Sequence, residues 1–138
     1  MTTSTDQLNT PITGVFTVGI PVTDQDRALA FYAGRLGLDI VMDAPVPQLG
    51  GRWIVVAAPG SATTLALIPG GSDSAGGTPA GVATNIRLAT TDAAALHTEL
   101  SDRGVAVGPL LQWPGVPPMF SVEDPDHNTF SITEAPHA

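Results

Sequence analysis

The chain predicts an α+β fold of two tandem modules, each running strand, helix, strand, strand, strand, that share one sheet and enclose a space between them. Two observations carry that expectation. The first is an internal repeat: an apolar run at 15–22 is followed by Thr23-Asp24, an amphipathic stretch from Ala28 to Leu36, Gly37 and a second apolar run. The same order returns as 82–89, Thr91-Asp92, Ala93 to Leu100, Gly104 and Val105-Ala106-Val107. Each copy is too small to close its own core, so the two must bury their apolar faces together. The second is a segment with almost no side chains able to bury, 69–81, centred near the middle of the 138 residues. It reads as a flexible connector between a first module at 12–68 and a second at 82–134, with tails at 1–11 and 135–138, all in one domain.

The elements follow in order. Residues 15–22 read as a strand, with Pro21 near its end, where a lost amide donor is best tolerated. Thr23-Asp24-Gln25-Asp26 supplies oxygens for the unpaired amides of a starting helix, whose apolar residues Ala28, Phe31, Tyr32 and Leu36 form one stripe and which Gly37 ends. Strands are expected near 38–43, 52–57 and 63–68, punctuated by Pro and Gly at 45–51 and 59–60. Beyond the connector come a strand at 82–89, a helix from Asp92 to Arg103 and strands near 105–112, 118–123 and 129–133.

Composition narrows the chemistry. The chain has thirteen carboxylates against five basic residues, all arginine, and a net charge of −8, which repels phosphate backbones and anionic lipid surfaces. Nucleic acid and membrane are therefore not expected as partners. With neither lysine nor cysteine, Schiff-base chemistry, thiolate nucleophiles and cysteine-held metals are excluded. No signal peptide is legible at the start, so a cytoplasmic location is the default expectation.

Two stretches carry a family resemblance. Val22-Thr23-Asp24 with Arg27-Ala28-Leu29-Ala30-Phe31-Tyr32 and Leu36-Gly37-Leu38, and the run from Phe120 to Phe130 through Glu123-Asp124-Pro125-Asp126-His127-Asn128, resemble the vicinal oxygen chelate superfamily of glyoxalases, bleomycin-resistance proteins and extradiol dioxygenases. The resemblance covers roughly residues 12–134. It implies paired βαβββ modules whose curled mixed sheets surround a cavity, usually in a homodimer. In members that carry a divalent metal, one ligand stands seven residues before the helix-start Asp, which here is Thr17, and in the second module Asn85. A third lies on the last strand of the first module, best matched by Ala66, and a fourth seven after the Asp of the Asp-Pro-Asp turn, which here is Ser131. Hydroxyl, methyl and amide groups do not replace the imidazoles and carboxylates that hold such a metal.

The resemblance places Thr17, Asn85 and Ser131 inward, and strand alternation then turns Gly19, Arg87, Ala89, Thr129 and Thr133 to the same side while Val18, Ile20, Ile86, Leu88, Phe130 and Ile132 pack under the helices. Arg87 is the one cation on that face, and needs either a protein carboxylate or a ligand anion. Trp53, Trp113 and Phe120 are candidates for an aromatic ligand wall, or for core and dimer contacts. His127, in a tight turn, is explained by the tolerance of histidine for positive φ or as a titrating gate beside Asp124 and Asp126. The carboxylates of Asp24, Asp26 and Asp92 suit helix capping as well as acid–base work, and Glu123 faces cavity or solvent according to a register the sequence leaves open.

The expected function is binding of a small organic molecule without metal or other cofactor, by sequestration, in a cavity of a homodimer. The alternative is an enzyme related to the lyases, isomerases and dioxygenases of the superfamily, either metal-independent, using Arg87 with Glu123 or His127, or with a metal site in another register. A dimer with a vestigial pocket is a third reading.

Overall fold

The computed structural model describes residues 11–70 and 80–135. The expected connector and both tails, His137 included, lie almost wholly outside these residues. The first module opens with β1 (Thr17–Val22). Asp24 then caps α1 (Gln25–Leu29), its carboxylate accepting from the Arg27 amide at 3.0 Å. The helix continues as a wider π turn, Ala30–Arg35, which sets the Leu36 amide on the Phe31 carbonyl at 3.0 Å. Gly37 ends it at φ +79°, a conformation only glycine adopts freely. Strands β2 (Asp39–Val46), β3 (Gly51–Ala57) and β4 (Thr64–Pro69) complete the module.

The second module repeats the order with β5 (Ala83–Thr90), α2 (Ala93–Asp102) capped by Asp92, β6 (Ala106–Val107), β7 (Met119–Glu123) and β8 (Thr129–Glu134). The strand expected at 105–112 is cut to two residues because Pro109 has no amide to donate. Pairing resumes on either side of it: the Gly108 amide reaches the Ser121 carbonyl at 2.9 Å, and Leu111 and Met119 exchange both bonds.

The modules do not share one sheet, as the repeat alone suggests. They form two four-stranded sheets, β1-β4-β3-β2 and β5-β8-β7-β6, each with one parallel pair. What they share is the core. One apolar cluster takes Ile20, Ile54, Val56 and Leu67 from the first sheet, Phe120, Val122, Phe130 and Ile132 from the second, and Tyr32 and Leu100 from the helices. Tyr32 stacks against Phe130 with ring centroids 6.1 Å apart, so the helix of one module packs on the sheet of the other.

A turn of the second module locks this arrangement. Asp124 holds the Asp126 and Asn128 amides at 2.9 and 2.8 Å and receives the Tyr32 hydroxyl at 2.7 Å. Asn128, wholly buried, donates to the Pro21 carbonyl at 2.7 Å and accepts from the Gly81 and Val82 amides. Asp126 accepts from the Thr23 amide and hydroxyl and pairs with Arg27 at 2.8 Å. The end of β1, the start of α1 and the entry to β5 are thus tied to five residues.

Candidate functional site

Strand register decides which side chains stand on the face of each sheet turned away from the helices. In the first sheet Gly19 pairs with Ala66, Ala66 with Val55 and Val55 with Met42, giving a small, apolar row across four strands. Val55, Ala57 and Ala66 are buried there yet take no part in the core cluster. Trp53, paired with Ala44 and half-buried, belongs to the same face.

The second sheet is polar on this face. Arg87 pairs with Ser131 and Ser131 with Ser121, and these three, with Asn85 and Thr129, border a pocket of about 110 Å³. Asn85 reaches it through a bulge. Between Ala83 and Arg87 the chain spends four steps where β8 spends two, from Thr129 to Ser131, and Asn85 takes up the excess at φ +60°. Asparagine tolerates this left-handed conformation better than most residues, and a bulge re-aims a side chain without ending the strand. The Thr84 hydroxyl steadies it, donating to the Thr129 carbonyl at 2.8 Å and accepting from the Ile86 amide.

The electrostatics single out Arg87. Arg27 pairs with Asp126, Arg52 with Asp26 and Asp43, Arg103 with Glu99, and Arg35 donates to the Arg103 carbonyl. Among the described residues Arg87 makes no ion pair and no side-chain hydrogen bond, and it is exposed. Two hydroxyls are also left over, since Thr17 Oγ1 and Thr133 Oγ1 are buried without a partner among the described residues. A buried hydroxyl so placed calls for a ligand or a water.

Of the residues expected at the site, the structure brings Asn85, Arg87 and Ser131 together. Thr17 and Gly19 stand on the corresponding face of the first sheet. Phe120 is a correction: it is 1% exposed, faces α2, and meets His97 edge to face with centroids 5.0 Å apart, because its place in β7 alternates with Ser121 and turns it into the core. Trp113 lies on an exposed loop rather than in a wall with Trp53. Thr129 borders the pocket as alternation from Ser131 implies, whereas Ser121 was missed, since only the antiparallel register of β7 on β8 sets it beside Ser131.

The metal positions implied by the resemblance do not fit a metal. Thr17, Ala66, Asn85 and Ser131 offer two hydroxyls, a methyl and an amide, and among the described residues no group of three or more His, Asp or Glu side chains is placed to hold an ion. His127 sits at φ +66° in the β7–β8 turn with Nδ1 on the Glu123 carboxylate, an exposed pair that raises the imidazole pKa.

A fold of paired βαβββ units with this face defines a class, and residues 14–132 match the Glyoxalase/Bleomycin resistance protein/Dioxygenase superfamily. The chain belongs to that superfamily. It is similar to TnmS3, an antibiotic binding protein from Streptomyces sp. CB03234, at 30% identity and a TM-score of 0.81 over 93% of this chain and 100% of that one. It is similar also to a superfamily member from Sphaerobacter thermophilus DSM 20745, at 33% identity and a TM-score of 0.80 over 90% and 98%. A glyoxalase/bleomycin resistance protein from Streptomyces sp. CB03234 shares 31% identity at a TM-score of 0.74 over 87% and 99%. No curated protein sequence matches the chain.

Proposed function

We propose that the chain binds a small, planar, partly anionic organic molecule without a metal, holding it between the apolar face of the first sheet and the polar face of the second, in a homodimer. The observation that carries this reading is Arg87, the one arginine with no partner among the described residues, standing beside Ser131 and Asn85. An exposed guanidinium on a donor-rich strand face is suited to a carboxylate or phenolate. The apolar row of Gly19, Ala66, Val55 and Met42 offers a flat floor for a ring. The likeness to an antibiotic binding protein supports sequestration as the purpose. Among the described residues, none that lines this pocket is a carboxylate or a histidine.

Titration calorimetry with a panel of planar aromatic carboxylates and phenolates tests the reading. Saturable binding without turnover is expected, weakened in Arg87→Ala by about 1.5–3 kcal/mol, the scale of a hydrogen bond to a charged group. Because Arg87 is exposed and has no partner among the described residues, thermal unfolding of the variant should match the wild type. Elemental analysis of protein purified without chelators should show no stoichiometric divalent metal. One equivalent of metal, or turnover of a bound probe, would overturn the proposal.

A further inference from the structure

A larger pocket lies elsewhere. Its volume is about 450 Å³, within the range of small-molecule sites, and residues of both sheets and both helices line it where the two modules meet. Leu36 and Leu38 from the end of the first helix, Leu96 and Leu100 from α2, and Val18 and Ile132 from the sheets give it an apolar wall.

The internal repeat explains why this pocket exists. At one end of the seam Asp124, Asp126 and Asn128 lock the second module's turn to Tyr32, Arg27 and Pro21. The symmetry of the repeat calls for an equivalent lock at the other end, made by the β3–β4 turn against α2. Counted from the strand end, Asp124, Asp126 and Asn128 correspond to Ala58, Gly60 and Ala62. Counted from the capping Asp, Arg27 and Tyr32 correspond to Ala95 and Leu100. These five side chains of the lock are thus replaced by alanine, leucine or glycine, and the pocket lies at this unlocked end, with Ala58 and Leu100 both in its lining.

The lining also limits what can enter. It contains no carboxylate, and the hydroxyls of Ser61 and Thr63 are spent on backbone carbonyls of Thr63 and Val15. The one charged lining residue is Arg87, which borders the open-face pocket as well. We propose that the unlocked end of the module seam is a second binding site, separate from the open strand face, that takes a hydrophobic carboxylate with its chain among the leucines and its charge toward Arg87. An apolar wall with a single cation at the rim favours such an anion over a cation or a strongly hydrated polyanion.

Decanoate is a suitable probe, titrated into methyl-labelled protein and followed by NMR. The methyl signals of Leu36, Leu38 and Leu96 are expected to shift saturably, while those of Val55 and Ala66 on the open face stay in place. Decanol should bind at least threefold more weakly than decanoate. Ala58→Phe, which fills the pocket from an exposed turn, should weaken decanoate at least tenfold and leave aromatic carboxylate binding at the open face unchanged; Leu38→Trp is a second filling variant. Shifts confined to the open face, no saturation, equal affinity for decanol, or full affinity in both filled variants would each overturn the seam site. Open-face binding is judged separately, by titration with the aromatic carboxylates, so the seam site can fail while that reading stands.

Discussion

His127 stands where only a residue tolerant of positive φ can stand, and its ring bonds outward to Glu123 on a solvent-exposed edge rather than inward to a pocket. Of the two readings the sequence allowed, the backbone geometry favours the turn. Glu123 raises the imidazole pKa above the usual value of 6.5, first through the hydrogen bond and then through its charge. A raised pKa means that the pairing is fully present below the unfolded-state value and is lost as pH rises through the folded one. An NMR titration of the His127 ring should therefore give a midpoint above 6.5, returning toward it in Glu123→Gln. An unshifted wild-type midpoint would remove the pair. Arg87 was legible at this same scale, because alternation placed it opposite the apolar residues of its own strand. That no carboxylate among the described residues pairs with it was not, since that depends on where the acidic groups fall in space.

Among the elements, the first helix shows how a correct stripe can sit in an unexpected backbone. Ala28, Phe31 and Tyr32 are buried as their spacing requires, yet the turn that carries the aromatic pair is π-helical. Spacing of apolar residues reports a face, not which carbonyl each amide reaches. The bulge in β5 was hidden for a related reason, as an even excess of residues preserves alternation and leaves Asn85 and Arg87 on the expected side. The Asp124–Asn128 turn is the element that holds the modules together, and its energetics are testable. Asn128→Ala would strand the buried Pro21 carbonyl, a group costing about 1–3 kcal/mol when unpaired, and would also take the acceptor from the part-buried Gly81 and Val82 amides and leave a cavity in place of a wholly buried side chain. Urea unfolding should show a loss of at least about 3 kcal/mol. Tyr32→Phe, which removes one bond to Asp124, should cost less. A loss below about 1 kcal/mol for Asn128→Ala would mean that the core alone fixes the two modules.

At the scale of the molecule, the repeat made both modules and their joint core readable, because neither copy can bury its apolar face alone. The separation into two sheets was not readable, since β1 and β5 are edge strands and nothing in an edge strand's own sequence states whether another edge pairs with it. The same incompleteness bears on assembly. Phe16 and Trp113 are 76% and 58% exposed, and Val41 and Met42 on β2, the outer strand of the first sheet, are 58% and 50% exposed. Side chains of this size in water favour association, and the outer edge of the first sheet's apolar face, at Met42, lacks cover among the described residues. A second copy would supply that cover and could bring the polar face of its second module toward it. Light scattering at micromolar concentration should then give twice the chain mass of 14.1 kDa. Met42→Asp places a charge in that face and should shift the mass toward one chain while leaving the circular dichroism unchanged. A wild-type protein that scatters as a monomer would separate the open-face site from any shared cavity, and ligand affinity would then be independent of protein concentration.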